Sequence, residues 1–203
     1  MNPDFWNERF TEPEPVYGTD PNVFLASQAE RFRPNGQVLC LGEGEGRNAV
    51  WLASKGMHVT AVDYAEAAVE RTRKLAQSRN VEVATVCADL SVYEMPAATY
   101  DGIVSIFVHL PEQLRQAVHR RALTSLRPEG AFVAEYFSRE QLAFGTGGPK
   151  NPAVLYTVDG LRSDFESKTS RIDLLEQVEV ELQEGRYHQG RASVIRVVVS
   201  RVG

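Results

Sequence analysis

From residue 23 onward the apolar positions change period in a regular way. Val23, Leu25, Ala26, Ala29 and Phe32 recur at helical spacing and Pro34-Asn35-Gly36 ends the run, which predicts a short amphipathic helix over 23–32. Gln37–Leu41 (QVLCL) is a continuous apolar stretch, the pattern of a strand buried on both faces of a parallel sheet. Arg47–Lys55 carries Ala49, Val50, Leu52 and Ala53 and closes at Gly56, so a helix follows that strand. His58–Val62 reads as strand two, after which Ala65, Ala68, Val69, Thr72, Leu75 and Ala76 return to helical spacing. Val81–Cys87 and Gly102–Val108, rich in β-branched residues, are strands three and four. Pro111 opens a helix with Leu114, Ala117, Val118, Ala122 and Leu126 on one stripe, closed by Pro128 and Gly130, and Ala131–Tyr136 is strand five.

The C-terminal end breaks the alternation. Leu175–Leu182 and Ser193–Val202 both alternate apolar with polar residues around a turn region at 184–190. The gap is too short for a helical crossover, so the last strand is expected to pair antiparallel. The expected fold is α/β: a Rossmann-like seven-stranded sheet with helices on both faces and an antiparallel C-terminal hairpin strand. Residues 1–22 stand apart. Pro3, Pro13, Pro15 and Pro21 disfavour continuous helix there, while Phe5, Trp6, Phe10 and Tyr17 supply aromatic surface. This stretch reads as an N-terminal arm or lid, and 23–203 as a single domain.

Bulk properties narrow the function classes. A chain of 203 residues buries roughly 70% of its unfolded surface in one core and needs no staples. No apolar run approaches the ~18 residues of a membrane span, and the N-terminus MNPDFWNERF lacks the basic and apolar regions of a signal peptide, so a cytoplasmic protein without membrane contact is expected. Cys40 and Cys87 lie in apolar stretches and read as core residues. A net charge of −5 without a dense Lys/Arg run argues against nucleic acid as a partner. His58, His119 and His188 share no ligand spacing, so no metal is expected.

The chemistry sits at the loop Gly42-Glu43-Gly44-Glu45-Gly46-Arg47-Asn48, between the first strand and its helix. Glycines there let the chain turn sharply at the carboxyl end of a strand and let a ligand approach the main chain. The third glycine comes one position earlier than the dinucleotide fingerprint requires for a pyrophosphate. Asp63 closes strand two, 21 residues after Gly42, where a carboxylate can accept from both hydroxyls of a ribose; it serves equally as a helix N-cap. Asp89 and Leu90 follow strand three, placed to take an adenine amino group and cover its ring, although a solvated turn is the alternative there. Tyr64 and Phe107, at the ends of strands two and four, and Tyr17 of the arm complete the candidate cofactor set.

Five parallel strands finished by a hairpin resemble the fold of methyltransferases that use S-adenosylmethionine (SAM), which carries no pyrophosphate and suits the tighter glycine spacing. The run Gly44–Gly56 (GEGRNAVWLASKG) with Val59-Thr60-Ala61-Val62-Asp63 closely resembles the tellurite-resistance-type methyltransferases of bacteria, a likeness that extends from about Val16 to Arg162. The resemblance implies SAM as cofactor, S-adenosylhomocysteine as product, and a class I methyltransferase acting on a small-molecule acceptor such as a thiol, a chalcogen oxyanion or an amine. Glu43 departs from the Cys common at its position in the wider superfamily. A SAM-binding sensor or pseudo-enzyme and, further off, an NAD-dependent dehydrogenase are the rival readings; a monomer and a homodimer both fit.

On the acceptor side, the loop after strand four lacks the Asn-Pro-Pro-Tyr and Pro-Cys sequences used on nucleobases and reads Ser105–Pro111 (SIFVHLP). His109 is the candidate base or acceptor ligand, with capping of the next helix as the alternative. Tyr136, ending strand five, is the second catalytic candidate. Glu14–Asp20 can fold as a lid or lie as a tail, and Gly145–Lys150 can form an anion nest or a connector.

Overall fold

The computed structural model describes residues 3–203, so the first two residues of the 1–22 arm lie outside it. A single sheet runs through the molecule. Its strands are β1 (Gln37–Leu41), β2 (His58–Asp63), β3 (Val83–Cys87), β4 (Tyr100–Ile106), β5 (Leu126–Phe137), β6 (Ser170–Glu184) and β7 (His188–Arg201), in the order β3-β2-β1-β4-β5-β7-β6. The first five pair in parallel, whereas β7 runs antiparallel to both β5 and β6. This is the expected Rossmann-like architecture with its terminal hairpin.

The period-2 alternation of the central strands sorts side chains onto two faces. On one, Leu39, Leu41, Ile103, Phe132 and Tyr136 pack with Val118 and Ala122 of α5 (Glu112–Ser125) and with Leu161 and Phe165 of α6 (Val158–Phe165). On the other, Val38, Cys40, Val59, Ala61 and Val104 pack with Phe24 and Leu25 of α2 (Val23–Ser27) and with Ala49 and Leu52 of α3 (Arg47–Ser54). The helix α4 (Glu66–Ser78) lies against β2 and β3 and meets the arm through Ala65 and Ala68. Among the described residues no helix is long and apolar enough to cross a membrane.

Several boundaries differ from expectation for physical reasons. The arm contains a helix after all, α1 (Pro3–Arg9): Pro3 takes its first position, where a missing N–H costs nothing, and the other prolines follow the helix. The helix over 23–32 breaks into α2, whose amides Asn22 caps, and a 3₁₀ turn at Ala29–Arg31. Strand five begins at Leu126, which pairs with Tyr100; the chain then kinks through Glu129 at φ 66° before Ala131 rejoins Gly102. Pro128 and Gly130 therefore mark a break inside a strand. Cys87 is a correction: it ends the edge strand β3 and is exposed, whereas Cys40 is fully buried.

Gly102 shows how tightly the α2 side closes on the sheet, since a Cβ there would lie 2.4 Å from Cδ1 of Phe32. Gly102→Ala is expected to cost ~1–3 kcal/mol through overpacking, read as a lower urea midpoint at unchanged slope. An unchanged midpoint would mean that the Phe32 ring yields freely.

Candidate active site

Three glycines shape the loop between β1 and α3, and all three take left-handed backbone: Gly42, Gly44 and Gly46 have φ of 54°, 68° and 90°. Gly46 also has no room for a side chain, because a Cβ would sit 2.8 Å from the backbone of Thr72 in α4. Gly46 caps α3 but has no side chain to do so, and the carboxylate of Glu43 fills that role. Its Oε1 accepts from the amides of Asn48 at 2.9 Å and Ala49 at 2.8 Å. Burial dominates the Glu43 environment and lifts its pKa to about 7, against those two amides and the Arg47 charge, which favour the ionised form.

Asp63 is not the N-cap of α4, a position held by Ala65 without a side-chain cap, but its carboxylate ties the turn before that helix to the glycine loop. One oxygen accepts from Ala65 N at 2.9 Å, at the start of α4, and the other from Gly44 N at 2.8 Å. Each oxygen keeps a lone pair beyond these bonds. Next to it Tyr64 has a buried hydroxyl with no hydrogen-bond partner among the described residues. Both residues line a cavity of about 900 Å³ at the carboxyl ends of β1, β2 and β4, where open α/β sheets bind their ligands. Gly42, Glu43, Gly44, Arg47, Asn48, Phe107 and Tyr17 share that lining.

The arm supplies the outer wall. Phe5, Trp6, Arg9, Phe10 and Tyr17 face the cavity, with Trp6 stacked on Phe10 at 5.4 Å. Glu45 anchors it: one carboxylate oxygen accepts from Val16 N at 2.8 Å and Tyr17 N at 3.3 Å, while the other meets Arg71 at 3.0 Å. Nothing in the glycine pattern distinguishes Glu45 from a solvated loop residue, so sequence reasoning missed it.

The far wall consists of Phe107, His109, Phe137 and His188, with Gly145–Asn151 beside them. In that segment Thr146 donates to Arg191 O at 2.6 Å and Gln141 donates to Gly147 O at 3.2 Å, so it is tied to β7 as a connecting wall. Phe107 holds φ 55°, a strained value for an aromatic residue, and stacks on Phe137 at 4.5 Å. Beneath the wall lies a buried polar network. Arg47 meets Glu184 at 2.7 Å, Asn22 bridges Glu184 and Glu135, and Arg196 closes it on Glu135.

The structure places four of the expected residues in surroundings that differ from the expectation. His109 lies in the cavity wall, but Nδ1 is 2.9 Å from Val154 O, which can only accept, and Nε2 takes the Phe137 amide at 3.3 Å. Both nitrogens are therefore committed in the neutral form, and burial drops the pKa to about 4, so no lone pair is left for a proton in transit. Tyr136 points to the opposite face of β5, fully buried, with its hydroxyl 3.1 Å from His119; its neighbour Phe137 takes the cavity side. Asp89 is exposed and turns back on Ser91 N at 2.7 Å, and Leu90 is buried under the sheet with Leu39 and Val62. Neither reaches the cavity lining.

Glu43 makes the stability of the loop depend on pH. The unfolded carboxyl ionises near 4.5 and the native one near 7, so in that window the native state binds more protons. Its contribution to stability therefore falls as pH rises from 4.5 to 7, and the loss is complete above about 7. Glu43→Gln keeps an acceptor for α3 and removes the titration. Urea denaturation is expected to show the variant gaining on the wild type across this window; a constant difference would mean that Glu43 is ionised throughout.

Comparison with known proteins agrees with this geometry. The family model described as a methyltransferase domain matches residues 38–130, which run from β1 through the start of β5. No curated protein matches the chain. Among solved structures, one from work on the conversion of a disulfide bond into a thioacetal group during echinomycin biosynthesis superposes with a TM-score of 0.78 at 17% identity, over 98% of this chain and 89% of the other. A SAM-dependent methyltransferase from Methanosarcina mazei gives 0.72 at 15%, over 90% and 99%. TehB from Haemophilus influenzae gives 0.71 at 17%, over 98% and 66%. Such identities carry the fold and not the tellurite-resistance subfamily. Residues 38–130 thus match a methyltransferase domain, and the architecture of the chain is that of the SAM-dependent methyltransferase fold.

Proposed function

We propose that the enzyme transfers the methyl group of SAM to a small, soft acceptor, a thiol foremost, held against the aromatic far wall. The observation that carries this reading is the cavity of about 900 Å³, near the upper end of the roughly 300–1,000 Å³ typical of small-molecule sites. It has the glycine loop as floor, the arm as roof and Phe107 and Phe137 as the wall opposite. Bare backbone at Gly42 and Gly44, the spare lone pairs of Asp63 and the partnerless Tyr64 hydroxyl fit a ligand with a ribose and a polar ring. Tyr17 and Glu43 lie toward the methionine part, and Asp63 takes the ribose. Arg47 and Asn48 act through the backbone they fix, their side chains being engaged with Glu184 and Asn22 N.

Bound SAM supplies an activated methyl group, so the protein's own task is to position the acceptor and exclude water. The arm performs the second part. Sulfur chemistry is favoured by the apolar wall and by the thioacetal theme of the structure from echinomycin work.

Calorimetry is expected to show one SAM bound per chain and no NAD binding, and labelled methyl is expected to reach thiols in preference to amines or chalcogen oxyanions. SAM binding without transfer to any of these acceptors would leave the sensor reading in its place. Asp63→Asn is expected to weaken SAM about tenfold to a hundredfold by loss of a charged acceptor. Unchanged affinity would remove Asp63 from the ribose.

Glu45→Ala tests the roof. Loss of the oxygen that accepts from both arm amides and of the Arg71 partner leaves these donors unpaired, at a cost of ~2–4 kcal/mol. Limited proteolysis is then expected to cut within residues 3–20, and SAM to dissociate faster. A variant as protease-resistant as the wild type would show that the arm needs no such anchor.

A further inference from the structure

With His109 committed at both nitrogens, the site's proton chemistry has to be sought elsewhere. His119 is likewise saturated, by Asp164 at 2.8 Å and Tyr136 at 3.1 Å, and His58 begins β2 at the opposite edge of the sheet. His188 differs from all three. It is the first residue of β7, 6% exposed, and lines the cavity with its ring wedged between Tyr17 at 4.6 Å, Phe107 at 4.7 Å and Phe137 at 5.2 Å. Its Nδ1 lies 3.4 Å from Oε2 of Glu184, the last residue of β6 across the hairpin turn.

Glu184 is fixed in turn. Arg47 Nη2 donates to it at 2.7 Å and Asn22 Nδ2 at 2.9 Å; burial pushes its pKa up, but the His188 hydrogen bond and the Arg47 charge outweigh it and hold the carboxyl down at about 2, so it only accepts. The proton of neutral His188 therefore sits on Nδ1 and the lone pair on Nε2. Among the described residues Nε2 has no protein hydrogen-bond partner. A base fixed through its far nitrogen by a carboxylate, itself fixed by a further group, is the arrangement that prepares an imidazole to take a proton; in ligand-free sites such bonds are often long.

We propose that His188, oriented by Glu184, is the general base that takes the proton of the methyl acceptor, a role that rests on the methyltransferase reading above. His188 Nε2 accepts the proton of X–H while X bonds the transferred methyl carbon. The pair of the breaking carbon–sulfur bond stays on sulfur, and the imidazolium, opposed by Glu184, later gives its proton to water. Tyr17 and Phe107 hold the ring from either side, so the position of Nε2 is set before the acceptor arrives.

Two measurements test this. Nitrogen-15 NMR of the wild type at pH 7 is expected to find His188 with Nδ1 protonated and Nε2 bare; the opposite tautomer overturns the proposal without reference to activity. Turnover is then compared between β-mercaptoethanol, mostly protonated at pH 7, and thiophenol, mostly ionised there. His188→Gln is expected to cut kcat about 10²-fold or more with the first and less than about tenfold with the second, with SAM affinity by calorimetry within about threefold of wild type. The wild-type rate with β-mercaptoethanol is expected to rise with pH along one limb that His188→Gln lacks, a limb shaped by the charges around the ring: Glu184, Arg47 of α3, Arg9 of α1, Tyr17 and His109. Equal losses with both thiols would make His188 a structural residue. If the wild type binds SAM yet methylates neither thiol, the thiol reading fails, and the tautomer still decides the orientation of His188.

Discussion

The buried ion pair between Arg47 and Glu184 ties the two ends of the fold into one site. Its partners are 137 residues apart in the chain, 2.7 Å apart in space, and each side chain is 7% exposed. A charge so far from water is costly when alone, several kcal/mol for each partner, so neither can be left without the other. Arg47 is the first residue of α3, directly after the glycine loop, and Glu184 ends β6. The two meet only because the terminal hairpin runs back along the sheet and delivers its turn to the carboxyl edge. Asn22 completes the second oxygen of Glu184 and reaches Glu135, which Arg196 neutralises. Two arginines and two glutamates thus balance one another, and α2, α3, β5, β6 and β7 share the balance.

The positions of the cavity walls follow from this network. The hairpin turn carries Tyr187 and His188 beside the cavity, and the ring of His188 meets Phe107 and Phe137 edge-on. Phe107 keeps a left-handed backbone that costs an ordinary residue about 1–2 kcal/mol. Its amide bonds to Glu135 O at 2.8 Å, and its ring gains the stacking on Phe137, which together offset that cost. Local strain is thus held at the point where the strand β4 gives way to the site, as functional loops commonly hold it.

Much of this was legible in the chain, and the remainder was not for identifiable reasons. Continuous apolar runs such as QVLCL and the two alternating C-terminal runs gave strands, order and the antiparallel end, because burial on one or two faces writes a period into the sequence. Gly42, Gly44, Gly46 and Asp63 were legible because their geometry is local: a sharp turn and a carboxylate at a strand end. Tyr136 was placed on the wrong face by one residue, since β5 runs one position past the expected end at Tyr136 and Phe137 holds the cavity side. The surroundings of His109 and His188 were hidden for a different reason. Whether an imidazole nitrogen is free depends on Val154, Phe137 and Glu184, contacts that no local pattern announces. Glu45 was invisible in the same way, its partners being amides of Val16 and Tyr17.

The arm owes its hold to two unequal sets of contacts. Val16 and Tyr17 are bound by the buried carboxylate of Glu45, and Val16 O accepts from Arg186 N at 2.9 Å, so this segment is fastened to both the glycine loop and the hairpin. Further out, α1 is attached by aromatic stacking, by the Asn7 bond to Ala67 N at 3.1 Å, and by Glu12, which meets Tyr187 at 2.6 Å and the largely exposed Arg186 at 2.9 Å. Exposed ion pairs contribute little, and a helix of seven residues has little stability of its own. The gradient runs from a fixed base at Glu45 to a weakly attached tip at α1. The weak end carries Trp6 and Phe10, the side chains that roof the cavity, so the least expensive way to open the site to solvent lies at α1 and leaves the glycine loop, Asp63 and the Arg47–Glu184 pair in place.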